Sequence, residues 1–286
     1  MQTIARLDPL RSAVAALRQS GKVALVPTMG ALHEGHLTLV REARKLAEHV
    51  VVSIFVNPRQ FGAGEDLDAY PRQLAADCAL LEPEGTALVW APEPGEMYPP
   101  GYATNISVSG VSEGLCGGNR LGHFDGVATV VCKLFHQVLP DMALFGEKDW
   151  QQLAVIRRMA RDLDLTQPAV GDIIGVPTVR EADGLAMSSR NAYLSADERA
   201  SAAALPRAMR EAIAAIEGGG EVAPALVTLE EALLAAGFAS LDYAELRQAD
   251  SLGPLTTLAD TPARLLVAAR IGKARLIDNM AVGRTR

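Results

Sequence analysis

Two histidines three residues apart, His33 and His36, close the segment Pro27-Thr28-Met29-Gly30-Ala31-Leu32-His33-Glu34-Gly35-His36. Near neutral pH an imidazole can move a proton, ligate a metal or hydrogen-bond an anion. The segment follows an apolar run, Val23-Ala24-Leu25-Val26, and precedes a stretch with apolar residues 37, 40, 43, 46 and 47 at helical spacing. It reads as a strand-to-helix turn with both imidazoles on one face of the first helical turn. A helix start carries unpaired N–H groups and partial positive charge, so phosphate is its natural ligand. Gly30 suits a turn with positive φ, and Gly35 leaves the backbone open to close approach, as by a flat base. His-x-Gly-His alone is a weak signal. The same pair would serve a metal if a third ligand joined it.

Other segments offer matching chemistry. Lys148 follows the apolar run Met142–Phe145, and Ser188, Ser189 and Arg190 lie in a polar loop. Cationic groups, hydroxyls and helix starts are what a polyphosphate leaving group requires. Each has a plainer reading. Lys148 could pair with Asp149 at the surface, and Met187–Arg190 could be a solvated loop. Gln60 and Gln152 are of a type ordinarily found at the surface, yet both adjoin strand ends, where an amide can bind a polar substrate. His123 and His136 read as serving structure or solubility.

These groups need a scaffold. Val50–Val56, rich in β-branched residues, makes a second buried strand, so residues 23–56 form a parallel βαβ unit. Helices are expected at 8–20, 72–82, 127–138 and about 150–163, with further strands at 87–90, 142–145 and 173–176. Thr104–Val108 alternates in polarity. The long polar stretches 57–72 and 114–126 begin or end at such elements. In open α/β sheets, ligands sit at the carboxyl ends of the strands. Beyond the loop 178–191 the composition shifts to alanine-rich helices. Ser195-Ala196-Asp197-Glu198 forms a capping box for a helix to Glu217 bent at Pro206, and another helix follows at 224–236. Strands of a small sheet are expected at 241–246, 264–270 and 274–277.

The whole chain bounds these readings. Its 286 residues, 49% hydrophobic and 21% charged, suit a soluble globular protein of two domains or one large one. A net charge of −7 argues against nucleic acid as the main partner but not against ATP. Cys78, Cys116 and Cys132 form no Cys-x-x-Cys pair and read as reduced core thiols of a cytoplasmic protein. No signal peptide or membrane span is expected.

In order and spacing, the chain resembles the pantothenate synthetase (pantoate–β-alanine ligase) family. The resemblance rests on Pro27–His36, Ser53–Pro58 with Gln60-Phe61-Gly62, Glu65-Asp66-Leu67 and Tyr70-Pro71-Arg72. It continues through Phe145–Asp149, Gln151-Gln152 and Arg180–Asn191. It implies an α/β fold: a Rossmann-like parallel-sheet domain over 1–177, then a smaller α+β lid domain over 178–286, in a homodimer. It also implies ATP-dependent condensation of (R)-pantoate with β-alanine through a pantoyl adenylate, releasing AMP and pyrophosphate, with Mg²⁺. By the same resemblance, Met29, Gly30, Ala31, Leu32, His33, Glu34, Gly35, His36, Gly146, Glu147, Lys148, Asp149, Val179, Met187, Ser188, Ser189 and Arg190 bind ATP. His33, His36 and Lys148 act in catalysis, Gln60 and Gln152 hold pantoate, Gln60 also meets β-alanine, and Asp77 helps to hold Mg²⁺. The chain has Ala76-Asp77 where the family often has paired acids. Two rivals are another nucleotidyl-transferring enzyme on this fold and a nucleotide-binding regulatory module without turnover.

Overall fold

The computed structural model describes residues 1–62, 64, 65 and 67–283. Asp66 of the Glu65-Asp66-Leu67 motif lies outside the described residues. In chain order the first part runs β1 (Gln2–Ile4), α1 (Leu7–Leu17), β2 (Val23–Thr28), α2 (Glu34–Leu46), β3 (His49–Ile54), α3 (Leu74–Leu81) and β4 (Leu88–Trp90). Then come α4 (Pro94–Met97), α5 (Leu115–Asn119), α6 (His123–Val138), β5 (Met142–Gly146), α7 (Trp150–Asp162) and β6 (Ile173–Val176). These strands form a six-stranded parallel sheet of order β1-β4-β3-β2-β5-β6. The expected α/β class is therefore observed. β1 is an edge strand of three residues, too short to show a pattern in the sequence. Residues 104–108 join no sheet among the described residues; the Ile106 N–H instead donates to Thr129 Oγ1 at 2.9 Å.

The sheet is covered on both faces, which is why β2 and β3 are almost continuously apolar. Val23 and Leu25 pack into one layer with Val127, Val131 and Ile156 of α6 and α7. Ala24 and Val26 pack into the other with Leu37, Val40 and Ala43 of α2. From β2 the chain winds one way through α2 to β3. From β5 it winds the other way through α7 to β6. The β2–β5 junction, paired through Ala24↔Met142 and Leu25↔Ala143, is the topological switch point.

The second part carries α8 (Ala196–Ala202), α9 (Ala204–Glu217), α10 (Val222–Ala235), β7 (Ser240–Gln248), β8 (Ala263–Ile271) and β9 (Ala274–Val282). Ser195 and Glu198 make the expected capping box. The expected single helix to Glu217 is two helices that share the cap residue Ala203. Pro206 sits in the first turn of α9, where its missing N–H costs no hydrogen bond. The three strands form an antiparallel sheet, and α9 and α10 pack on it through Met209, Ile213, Leu229 and Leu233.

Candidate active site

A cavity of about 240 Å³ opens at the switch point, beyond the carboxyl ends of β2, β3, β5 and β6. Met29, His33, Gly35 and His36 line one side, and Gly146, Lys148, Asp149 and Gln152 line another. Gln60 faces in from the segment after β3, and Val179 and Met187–Arg190 from the loop after β6. Residues spread over more than a hundred positions of chain thus meet in one place.

His33 is the N-cap of α2, and the two imidazoles cap the helix reciprocally. The Gly35 N–H donates to His33 Nδ1 at 3.1 Å, and the His33 N–H donates to His36 Nδ1 at 3.3 Å. The His36 and Leu37 N–H groups donate to the His33 carbonyl. The cap thus takes up the first-turn N–H groups of Gly35 and His36. Each Nδ1 accepts, so each neutral ring carries its proton on Nε2. Burial pushes the His36 pKa down to about 3, helped by His33 and Lys148; burial and Lys148 also lower His33. Both rings are uncharged donors at neutral pH. Gly35 has a second reason beside the one expected: it lines the cavity, and a Cβ there would also stand 2.9 Å from His33 Cε1, so the glycine makes room for the ring.

Gly30 has φ +80° and Ala31 has φ +51°, the backbone of an anion-binding nest. The nest is already filled. The Ala31 and Leu32 N–H groups donate to Asp77 Oδ2 and Oδ1 at 3.1 and 2.9 Å. Asp77 is 1% exposed and does not line the cavity. Its carboxylate holds the β2–α2 turn in shape, so it does not fit the expected Mg²⁺ contact. Among the described residues no three His, Cys, Asp or Glu side chains group as a metal cage.

Lys148 lines the cavity, and its Nζ stands 3.9 Å from the Asp149 carboxylate, at the limit of an ion pair. Gln60 is oriented by the fully buried Asn57. Asn57 Oδ1 accepts from the Tyr98 hydroxyl and the Arg59 N–H, while its Nδ2 donates to Gln60 Oε1 and the Gly126 carbonyl. The Gln60 amide nitrogen is thereby left to donate elsewhere. Gln151 and Gln152, neighbours on a helix, face different ways. Gln151 is buried and accepts from the Cys116 N–H, while Gln152 lines the cavity.

Gly30, Ala31, Leu32, Glu34 and Glu147 do not line the cavity. Glu34 pairs with Arg41, and Glu147 with Arg264. Arg120 and His123 also line it, and the His123 ring bonds the Gln60 carbonyl at 2.8 Å and Arg120 at 3.0 Å, as a residue serving structure would. Arg120 grips Glu65 through Nε and Nη2, both at 2.7 Å, and donates to the Gln60 carbonyl. The Arg120 guanidinium pulls the Glu65 carboxyl down to about 2; burial and Arg120 lower His123 to about 4. The glycine-rich stretch 114–126 was the only signal for this pair. Val127, Val130, Val131 and Leu134 give the cavity an apolar wall.

The family of pantoate–β-alanine ligases matches residues 2–281. The pantothenate synthetase of Novosphingobium aromaticivorans is 72% identical over 99% of both chains. That of Sphingopyxis alaskensis is 60% identical over 99% of this chain and all of its own. The crystal structure of pantothenate synthetase from Thermus thermophilus is 49% identical, covers 98% of this chain and 99% of its own, and superposes with a TM-score of 0.89. A Francisella tularensis pantoate–β-alanine ligase, complexed with βγ ATP and β-alanine, is 32% identical over 98% of this chain and 97% of its own, with a TM-score of 0.83.

Proposed function

Since the chain belongs to the pantoate–β-alanine ligase family, we propose that its cavity joins (R)-pantoate to β-alanine with cleavage of ATP to AMP and pyrophosphate. The observation that carries this reading is the meeting of His33, His36 and Lys148 with Gln60 and Gln152 around one cavity at the switch point. A carboxylate does not condense with an amine directly at neutral pH, because oxide would have to leave. Adenylation replaces that leaving group with AMP.

In this reading the pantoate carboxylate attacks the α-phosphorus, forming pantoyl adenylate and expelling pyrophosphate. The β-alanine amine then attacks the activated carbonyl. The neutral His33 and His36 donate Nε2–H to phosphate oxygens, and Lys148 meets the charge that moves onto the departing pyrophosphate. Neither histidine need give up its proton. Met187–Arg190 and Val179 close the phosphate end. The Gln60 and Gln152 amides hold the hydroxyl and carboxylate oxygens of pantoate, and the valine wall of α6 suits its two methyl groups. Gln60 also meets β-alanine. Mg²⁺ travels with the nucleotide's phosphates, as is usual for this ion, and no residue is assigned to it.

The domain division at 177/178, with the second part acting as a lid, a homodimeric assembly and a cytoplasmic location belong to the same proposal. No helix among the described residues is long and apolar enough to cross a membrane. Light scattering that returned one 30.3 kDa chain across micromolar concentrations would contradict the dimer. The test of function is incubation with ATP, Mg²⁺ and pantoate alone. Pyrophosphate should appear before any β-alanine is added; ADP and phosphate as products would overturn the adenylate.

A further inference from the structure

Two adjacent residues of β9, Asp278 and Asn279, are buried at the join between the small sheet and the parallel sheet, at 2% and 4% exposure. Neither lines the main cavity. Asn279 Nδ2 donates to the carbonyls of Glu147 and Lys148, each at 2.9 Å. Its Oδ1 accepts from Arg264 Nη1 at 2.7 Å, which settles which end of the amide faces the carbonyls. Arg264 also lies 3.5 Å above the Trp150 ring and 3.3 Å from the Glu147 carboxylate. Asp278 takes Arg180 bidentately at 2.7 and 2.9 Å and accepts the Asn279 N–H at 2.7 Å.

The contacts to Glu147, Lys148 and Arg180 end on segments that feed the cavity. The Glu147 and Lys148 carbonyls belong to the single 3₁₀ turn that follows β5. Arg180 opens the hairpin 179–187, closed by the Met187 N–H donating to the Val179 carbonyl at 3.0 Å. Met187–Arg190 continue from it into the cavity. One buried dipeptide of the small sheet therefore anchors both the lysine turn and the serine–arginine loop. This turn leads directly into α7, and its 3₁₀ hydrogen-bond geometry is poorer than that of the helix it precedes. Donors to its carbonyls are what hold it in one place.

We infer that Asn279 is a positioning residue for adenylate formation, acting through Lys148: its amide fixes the backbone that aims the Lys148 ammonium into the cavity. This rests on the reading of Lys148 as the group that meets charge on the departing pyrophosphate. Lys148 has no part in the attack of β-alanine, so Asn279 serves the first step and not the second.

The test compares half-reactions in single turnover. Asn279→Asp keeps the volume and the oxygen facing Arg264 but has no N–H to donate. Asn279→Ala, which adds no charge, carries the same measurement should the aspartate prevent folding. Pyrophosphate release from ATP and pantoate should slow by roughly 10- to 100-fold, the scale of a misplaced catalytic group. Attack of β-alanine on supplied pantoyl adenylate should change by less than about threefold. In a Lys148→Ala background the same substitution should add less than about threefold, because nothing remains to be aimed. Equal slowing of both half-reactions, or full multiplication of the two losses, overturns the inference. If Asn279→Ala slows neither step while Lys148→Ala slows the first, Asn279 alone is misassigned. If Lys148→Ala leaves the first step at the wild-type rate, the reading of Lys148 fails and Asn279 falls with it.

Discussion

Asp77 Oδ2 accepts the Ala31 N–H at 3.1 Å, so a buried carboxylate on α3 is the counter-anion of the positive-φ turn that leads to His33. Asp77→Asn leaves a single acceptor and sets an amide N–H₂ against a backbone N–H. An unsatisfied buried donor costs about 1–3 kcal/mol. The denaturation midpoint should fall accordingly. The Mg²⁺ concentration that half-saturates pyrophosphate release should stay within about twofold, since the metal is not held there. Normal stability with a large rise in the Mg²⁺ requirement would show that Asp77 is a ligand after all.

The histidines make stability depend on acid. His36 and His123 are lowered to about 3 and about 4, and His33 is lowered as well. Between those values and the unfolded value of about 6.5, the unfolded chain binds more protons than the folded one. The stability these rings confer is complete above about pH 6.5 and is lost as pH falls toward the folded values. Thermal melting should drop steadily from pH 7 to pH 5, and His36→Asn should flatten part of that slope. A slope unchanged in this variant would show that His36 is not buried as a neutral ring.

The same neutrality separates hydrogen-bond donation from proton transfer. The rate of pyrophosphate release should not decline between pH 7 and 9 through loss of a histidine proton. A descending limb near neutral pH that disappears in His36→Gln would make His36 a general acid.

Lys148→Ala should slow adenylate formation by roughly 10²–10³, the usual loss for one preorganised charge-stabilising group. ATP binding should weaken less, because the lysine matters most as charge moves onto the leaving oxygens. Equilibrium binding together with single-turnover rates measures both. Normal turnover with weak ATP binding would reduce Lys148 to a binding group.

Gln60 and His36 should divide the two half-reactions between them. The pantoyl group is present in both, so Gln60→Ala should slow attack on supplied pantoyl adenylate as well as its formation. His36→Ala should fall mainly on formation. Because Asn57 Nδ2 donates to Gln60 Oε1 at 3.0 Å, Asn57→Ala should reproduce part of the Gln60 defect as a raised KM for pantoate. If Gln60→Ala leaves the second step untouched, another residue orients β-alanine.

Local pattern carried much of this molecule. The apolar runs at 23–26 and 50–56 identified a parallel sheet covered on both faces, because a strand buried twice has no polar side to show. The strand-to-helix turn at His33 was legible because turn chemistry and helical spacing act within a few residues. Order and spacing of the motifs were enough to recognise the family. What the sequence did not determine is where groups far apart in the chain come to rest. Asp77 lies 46 positions from Ala31, and only packing of α3 beside the turn turns an expected metal contact into a backbone anchor. Arg120 and His123 reach Gln60 across about sixty residues. The charge of His33 and His36 is set by the desolvation and the neighbouring charges that packing brings to them, a property of the whole fold. Asn279 stands 131 positions beyond Lys148, and no spacing rule links them; they meet because the small sheet docks on the large one and a buried amide must find partners for its donors.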